Sequence, residues 1–318
     1  MGKLALIIGN GFDLDLGLPS RYSDFINSKE WQAVVQKVKL FLYDKSYQEH
    51  SLVAQLQLAS KDSMWFDIEE EIQKFVKNHP HNTQQAIGEI RSEFDLIREA
   101  LANYLIRVSK DFKADDNKLP CQLLYTLQEY QNDIIEIIFN YTVPNSLLTR
   151  PTYYNLCRCT FVHGELRSPH SIVLGCDLHE GELVNRDLSF MYKYNMLKKA
   201  NHVARHLLNA EEIIFYGHSV NEMDFGYFRE FFRAASSSPE PNRHLTMITY
   251  DENSERQIKD NIRNQGISVT DLYNNLWTFE FIHTSKLYAG DQEEKAKWDV
   301  MLQRLLMLDK QQLYNLNK

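Results

Sequence analysis

Two side chains in this sequence combine a versatile polar group with a position just past an apolar run. Asn140 follows Asp133-Ile134-Ile135-Glu136-Ile137-Ile138-Phe139, and His163 follows Thr160-Phe161-Val162. An amide donates and accepts hydrogen bonds without adding charge. An imidazole takes a proton from a hydroxyl or a water near neutral pH. Each has a plainer reading, in which Asn140 caps the turn into Tyr141-Thr142 and His163 is a structural histidine ahead of Gly164. A third group, Gly9-Asn10-Gly11-Phe12-Asp13, follows the run Leu4-Ala5-Leu6-Ile7-Ile8. Its two glycines permit a tight turn and leave room for a ligand beside the backbone. A strand, a glycine turn and a helix N-terminus together suit a phosphate or a ribose, while a tight turn without a ligand is the alternative. Gly217-His218-Ser219 and Tyr250-Asp251 repeat the same placement after the runs at 212–216 and 245–250.

The elements that must position these groups are short, β-branched apolar runs, read as buried strands. Strands are expected at 4–8, 133–139, 160–162, 171–175, 212–216, 245–250 and 277–282, with helices at 190–208, 221–232, 255–263 and 293–313. Their alternation predicts an α/β fold, a Rossmann-type parallel sheet flanked by helices. In such sheets the ligand lies outside the carboxyl ends of the strands. Gly9, Asn140, His163, Gly217 and Asp251 therefore converge although they are far apart in sequence. From about 28 to 131 glycine is nearly absent and apolar residues recur every three or four positions, most clearly Ile87, Ile90, Phe94, Ile97, Leu101 and Leu105. That spacing predicts a helical insertion. The division expected is a nucleotide-binding core of residues 1–27 and 132–290, an insertion of 28–131 and a C-terminal helix of 291–318. Within the insertion Asp67, Glu70 and Glu71 read as a solvated acidic face rather than a metal site, because no histidine lies close by. Ser20 is placed to cap a short helix through Tyr22 and Phe25.

The composition is that of an ordinary globular protein, with 43% hydrophobic and 12% aromatic residues in 318. A net charge of −8 disfavours sequence-independent nucleic-acid binding. No run reaches the length of a membrane span and the start lacks a signal-peptide pattern, so a cytoplasmic protein is expected. The four cysteines, Cys121, Cys157, Cys159 and Cys176, lack zinc-ligand spacing and are expected to be buried and reduced, with no zinc bound.

The fuller string Gly9-x-Gly11-x-x-x-x-x-Gly17-Leu18-Pro19 has the spacing of the sirtuin nucleotide loop. Residues 4–25 resemble more closely the opening of the AbiH bacteriophage abortive-infection family: a strand, then Gly-Asn-Gly-Phe-Asp, then Gly-Leu-Pro-Thr/Ser-x-Tyr. Trp65-Phe66-Asp67-Ile68-Glu69 also resembles a Trp-x-Asp-x-Glu segment of that family. Asn140 resembles a sirtuin asparagine that contacts the nicotinamide ribose and helps order the attacking group. His163-Gly164 matches the sirtuin His-Gly, whose histidine is the general base. Gly217-His218-Ser219 resembles the sirtuin Gly-Thr-Ser loop along the cofactor phosphates and adenosine ribose.

These resemblances imply a sirtuin-like core and a role in antiphage abortive infection, with NAD as a substrate hydrolysed at the nicotinamide N-glycosidic bond. Asn140 and His163 would be catalytic. Gly9, Asn10, Gly11, Phe12, Asp13, Gly217, His218 and Ser219 would contact the nucleotide, and Asp251, by its place at the next strand end, would meet the adenosine ribose. Asp13 departs from the sirtuin serine and brings a carboxylate that repels phosphate unless it meets ribose hydroxyls or a cation. The rival expectation is a non-catalytic nucleotide-sensing or partner-binding subunit of a defence system, with a magnesium nuclease through Asp13 as a weaker third. The partners expected are a nucleotide and either a second copy of the chain or another defence protein. No membrane partner is expected.

Overall fold

Strand β1 (Leu4–Ile8) has all five residues buried and forms the middle of a six-stranded, all-parallel sheet. The other strands are β2 (Ile134–Ile138), β3 (Leu156–Phe161), β4 (Glu212–Tyr216), β5 (Glu240–Thr249) and β6 (Leu276–His283), in the order β3-β2-β1-β4-β5-β6. This is the strand order of dinucleotide-binding α/β folds, with the reversal point between β1 and β4. The ends of the three central strands are level, since Ile8 pairs with Ile138 on one side and Tyr216 on the other. The computed structural model describes residues 3–41, 51–62, 66–79, 83–130, 132–154, 156–166, 171–177, 184–196 and 202–316.

The chain divides into two compact units. The first comprises Met1–Leu18, Lys113–Val162 and Asn201–Lys318 and contains the whole sheet. Helices α1 (Asn10–Leu16), α7 (Leu119–Leu127), α9 (Val203–Leu208), α10 (Phe225–Ser237), α11 (Glu252–Asn264), α12 (Val269–Asn275), α13 (Thr284–Tyr288) and α14 (Gln292–Leu316) belong to it. Helix α10 buries Phe225, Phe228, Phe231, Phe232 and Ala235, a stripe of the right period to lie on a sheet face. Helix α14 buries Trp298, Met301 and Leu305. From the same turns Arg304 reaches Glu212 at 3.0 Å and Glu280 at 3.3 Å.

The second unit comprises Pro19–Phe112 and His163–Ala200. Its helices are α2 (Tyr22–Ile26), α3 (Lys29–Phe41), α4 (Leu52–Asp62), α5 (Ile68–Asn78), α6 (Gln84–Ser109) and α8 (Lys193–Met196). The stripe of Ile90, Phe94, Ile97 and Leu101 on α6 is buried, as its spacing indicates. Buried Glu93 on the same helix accepts from the Ser51 hydroxyl and the Val53 N–H, and so satisfies the start of α4.

Several boundaries differ from the sequence reading. Residues 113–131 pack with the sheet, and 163–200 join the helical unit, so the second unit is built from two stretches of chain. The strand expected at 171–175 is extended backbone outside the ladder, because Val173 N–H is spent on His163 O and Ile172 O on Arg98. The expected helix over 190–208 is broken into a 3-10 turn at Ser189–Met191, α8 and α9, with 197–201 outside the described residues. Helix α2 starts from Arg21 rather than Ser20, and Asp24 accepts from the Arg21 N–H. Helix α12, which the sequence reading lacks, is capped by Ser268 through the Asp271 N–H. Cys121 and Cys176 are buried free thiols, but Cys159 is exposed because it lies on edge strand β3. No described helix is long and apolar enough to cross a membrane.

Candidate functional site

Level ends on β1 and β2 bring two loops together. The first turn of α1 carries Asp13, and the chain leaving β2 carries Asn140 and Thr142. The Thr142 hydroxyl donates to Asp13 Oδ2 at 2.6 Å, and all three residues are buried. Burial pushes the Asp13 carboxyl up from 3.8 to about 6, against the opposing pull of Thr142 and of the neighbouring Asn140 amide. Asp13 Oδ1 makes no hydrogen bond, and neither amide atom of Asn140 makes one of ordinary geometry. Three unsatisfied polar atoms on two touching side chains are costly in a folded interior unless a ligand or water completes them. Raised carboxyl groups alone do not mark a site here, since buried Glu136 and Glu212 are each pushed up to about 7. Those two have phenol, thiol or guanidinium partners and sit within the strands rather than beyond their carboxyl ends.

The glycine turn is organised differently from the sequence expectation. The space left by the missing side chains of Gly9 and Gly11 is filled by protein. A Cβ at Gly9 would lie 2.6 Å from Gly217 O, and one at Gly11 2.5 Å from Gly217 Cα. The Gly11 N–H donates to Gly217 O and the Phe12 N–H to Gly9 O, so these donors are not turned to a ligand. Gly217 has φ +63, and its N–H donates to Ile248 O. The two turns at the strand-order reversal therefore interlock backbone to backbone. Phe12 is fully buried with its ring edge-on to Tyr216. Asn10 is exposed at the start of α1.

Overpacking a tight contact costs about 1–3 kcal/mol, sometimes more. Gly11→Ala is expected to lower the stability by that amount, and the melting temperature with it, whether or not a nucleotide is present. Gly226→Ala on α10 is the matched control, because a Cβ there meets nothing within 4 Å. It should gain about 0.5–1 kcal/mol from the helix preference for alanine. Thermal melts of both variants, with NAD present and absent, check the sign of each change.

His218 is part of the turn itself. Its Nδ1 accepts the Val220 N–H at 2.9 Å, which leaves the neutral ring's proton on Nε2, 3.7 Å from Asp224 Oδ2. The ring packs edge-on to Phe139 and Phe228. Ser219 is exposed, and its carbonyl accepts from Asn261. Asp251 caps α11, taking the Ser254 N–H and hydroxyl at 2.8 Å on one oxygen, and these bonds hold its carboxyl below the usual range.

His163, which the sequence reading placed in the nucleotide-binding core, belongs to the second unit. Its Nε2 lies 3.5 Å from the Nζ of Lys193, which is 0% exposed and pairs with Glu69 Oε2 at 2.9 Å. Glu69 Oε1 accepts the Gly175 N–H, and Asp67 caps α5 through the Glu69 and Glu70 N–H groups. The acidic stretch is therefore split. Glu70 faces solvent beside Lys74, while Glu69 is buried in an ion pair. Trp65 lies outside the described residues.

Thr142, Glu69 and Lys193 are the polar residues that sequence reasoning passed over. Thr142 and Glu69 stood inside strings singled out for their neighbours. Lys193 carries no local signal, because its burial depends on a carboxylate more than a hundred positions away.

The chain has no match among curated proteins, and none among solved structures. A family model described as bacteriophage abortive infection AbiH matches residues 5–241, which include β1 from Ala5 on, its glycine turn, Asn140, His163 and Gly217-His218-Ser219. With that span covering most of its 318 residues, the chain belongs to the AbiH family of bacteriophage abortive-infection proteins.

Proposed function

We propose that this AbiH protein acts in abortive infection by hydrolysing NAD at the nicotinamide N-glycosidic bond. The observation that carries the proposal is the buried, unpartnered Asn140 amide beside Asp13, beyond the carboxyl ends of adjacent strands in a dinucleotide-type sheet. An amide that both donates and accepts fits a ribose diol, and the free Asp13 oxygen accepts from a hydroxyl or a water. Cleavage passes through an oxocarbenium-like state. Positive charge then spreads over the ribose ring as nicotinamide leaves with the bonding pair. A carboxylate held in a buried site stabilises that charge more strongly than one in water. Water adds to the anomeric carbon and gives up a proton, and ADP-ribose and nicotinamide are the products. Motif order gives His163 the role of proton acceptor, and burial gives Asp13 a carboxyl near the range useful for the same task.

The test is to incubate the purified chain with NAD and separate the products by chromatography, with and without a phage lysate as trigger. Asn140→Ala is expected to reduce turnover about 10²-fold or more while leaving the fold intact, the usual scale for a lost transition-state contact. His163→Ala is expected to lose about 10²–10⁴-fold if it moves the proton. A folded Asn140→Ala protein with normal turnover would falsify this site. NAD binding by calorimetry with no product under any condition would instead identify a sensor.

A further inference from the structure

At the amino ends of the strands, opposite the Asp13–Asn140 cluster, the first unit holds a cavity of about 330 Å³. It is lined by Lys3, Ile135, Arg158, His202, Arg205, His206 and Asn209. Lys3 precedes β1, Ile135 lies on β2, Arg158 on β3, Arg205 and His206 lie on α9, and His202 and Asn209 flank it. Three permanent cations and two imidazoles thus face one space, and no carboxylate is among the described residues lining it. Asp133 and Glu211, which adjoin these strands, are not part of the wall. In a chain of net charge −8 this concentration of one sign is against the overall balance. The groups act on one another. Burial first, then Arg158, His202, Arg205 and Lys3, hold the His206 imidazole below its ordinary pKa. Arg158 lies 3.2 Å from His206 Nε2, so the guanidinium donates to a neutral ring. Like charges gathered around a concavity repel until an anion enters, and the energy so released favours binding.

We propose that this cavity binds a phosphate-bearing anion of nucleotide size, at a site separate from the one where NAD is cleaved. Its volume falls at the lower end of the range for small-ligand pockets. Arg158 and Arg205 supply forked donors suited to phosphate oxygens, and Asn209 adds an amide. Lys3 contributes a point charge. Occupation favours the protonated form of His206, so binding draws in a proton.

The probe is inorganic pyrophosphate, titrated calorimetrically into the full chain at pH 7 and at two salt concentrations. Saturable binding that weakens with salt is expected. Arg158→Gln/Arg205→Gln should lower the affinity at least tenfold, whereas Arg263→Gln, an exposed cation on α11, should change it less than twofold. Repeating the titration in buffers of different ionisation enthalpy should show proton uptake, reduced in His206→Phe. Equal affinity in the double variant, or no binding at millimolar pyrophosphate, overturns the proposal. A single-stranded oligonucleotide that binds where pyrophosphate does not also overturns it, and makes the surface a nucleic-acid contact instead. A nucleoside triphosphate bound more tightly than pyrophosphate, with the same arginine dependence, supports a free nucleotide as the source of the phosphate.

Discussion

Asp13→Asn is expected to leave the protein more stable at pH 8 than the parent chain and, at the same time, to end the proposed NAD cleavage. Burial pushes the Asp13 carboxyl up from 3.8 to about 6, so the folded protein holds this proton more tightly than the unfolded chain does. Stability is therefore unaffected by this group below about pH 4. It falls as pH rises from about 4 to about 6, and the full cost is present above that. That rise corresponds to roughly 3 kcal/mol, an upper bound for what the neutral amide recovers. The amide keeps an oxygen for the Thr142 hydroxyl and turns an N–H toward the unpartnered Asn140 oxygen. Calorimetric melts at pH 4 and pH 8 read the effect directly: near coincidence at pH 4, and a rise of several degrees for the variant at pH 8. A variant no more stable than the parent at pH 8 would show that the ionised carboxylate is already compensated, and would remove the case for a missing ligand. Gain of stability with loss of turnover is the signature of a group retained for function.

Much of this was legible in the chain. Five consecutive apolar residues before Gly9, and the Ile-rich run before Asn140, specify buried parallel strands. The alternation with helices specifies the sheet class. The order of strands in space is not local information, yet it decides what the glycines do. Gly9 and Gly11 read as room for a ligand, but β4 lies next to β1, and the Gly217 turn occupies that room. Spacing identifies a residue that cannot carry a side chain and does not say what takes its place. Asn140 was legible as a polar residue at a strand end. Its partner Asp13 was read as a departure that disfavours phosphate, and only the level ends of β1 and β2 show the two side chains sharing one buried spot.

Lys193→Met is expected to cost about 3–5 kcal/mol, because it removes the cation paired with the buried Glu69 carboxylate. Glu69→Gln should also destabilise by several kcal/mol for the converse reason, since the buried Lys193 ammonium loses its paired carboxylate. The double variant Glu69→Gln/Lys193→Met removes both charges, and its loss should be smaller than the sum of the single losses, by a coupling of about 1–3 kcal/mol. Urea midpoints for the parent, the singles and the double complete the cycle. Simple additivity would mean that the pair is solvated, against its burial in the structure. The cycle also decides how His163→Ala is interpreted. If that variant unfolds at the same urea concentration as Lys193→Met, its lost turnover reports a collapsed ion-pair network. If it stays as stable as the parent and turnover still falls, the imidazole acts on the reaction, since neither Glu69 nor Lys193 has then lost its partner.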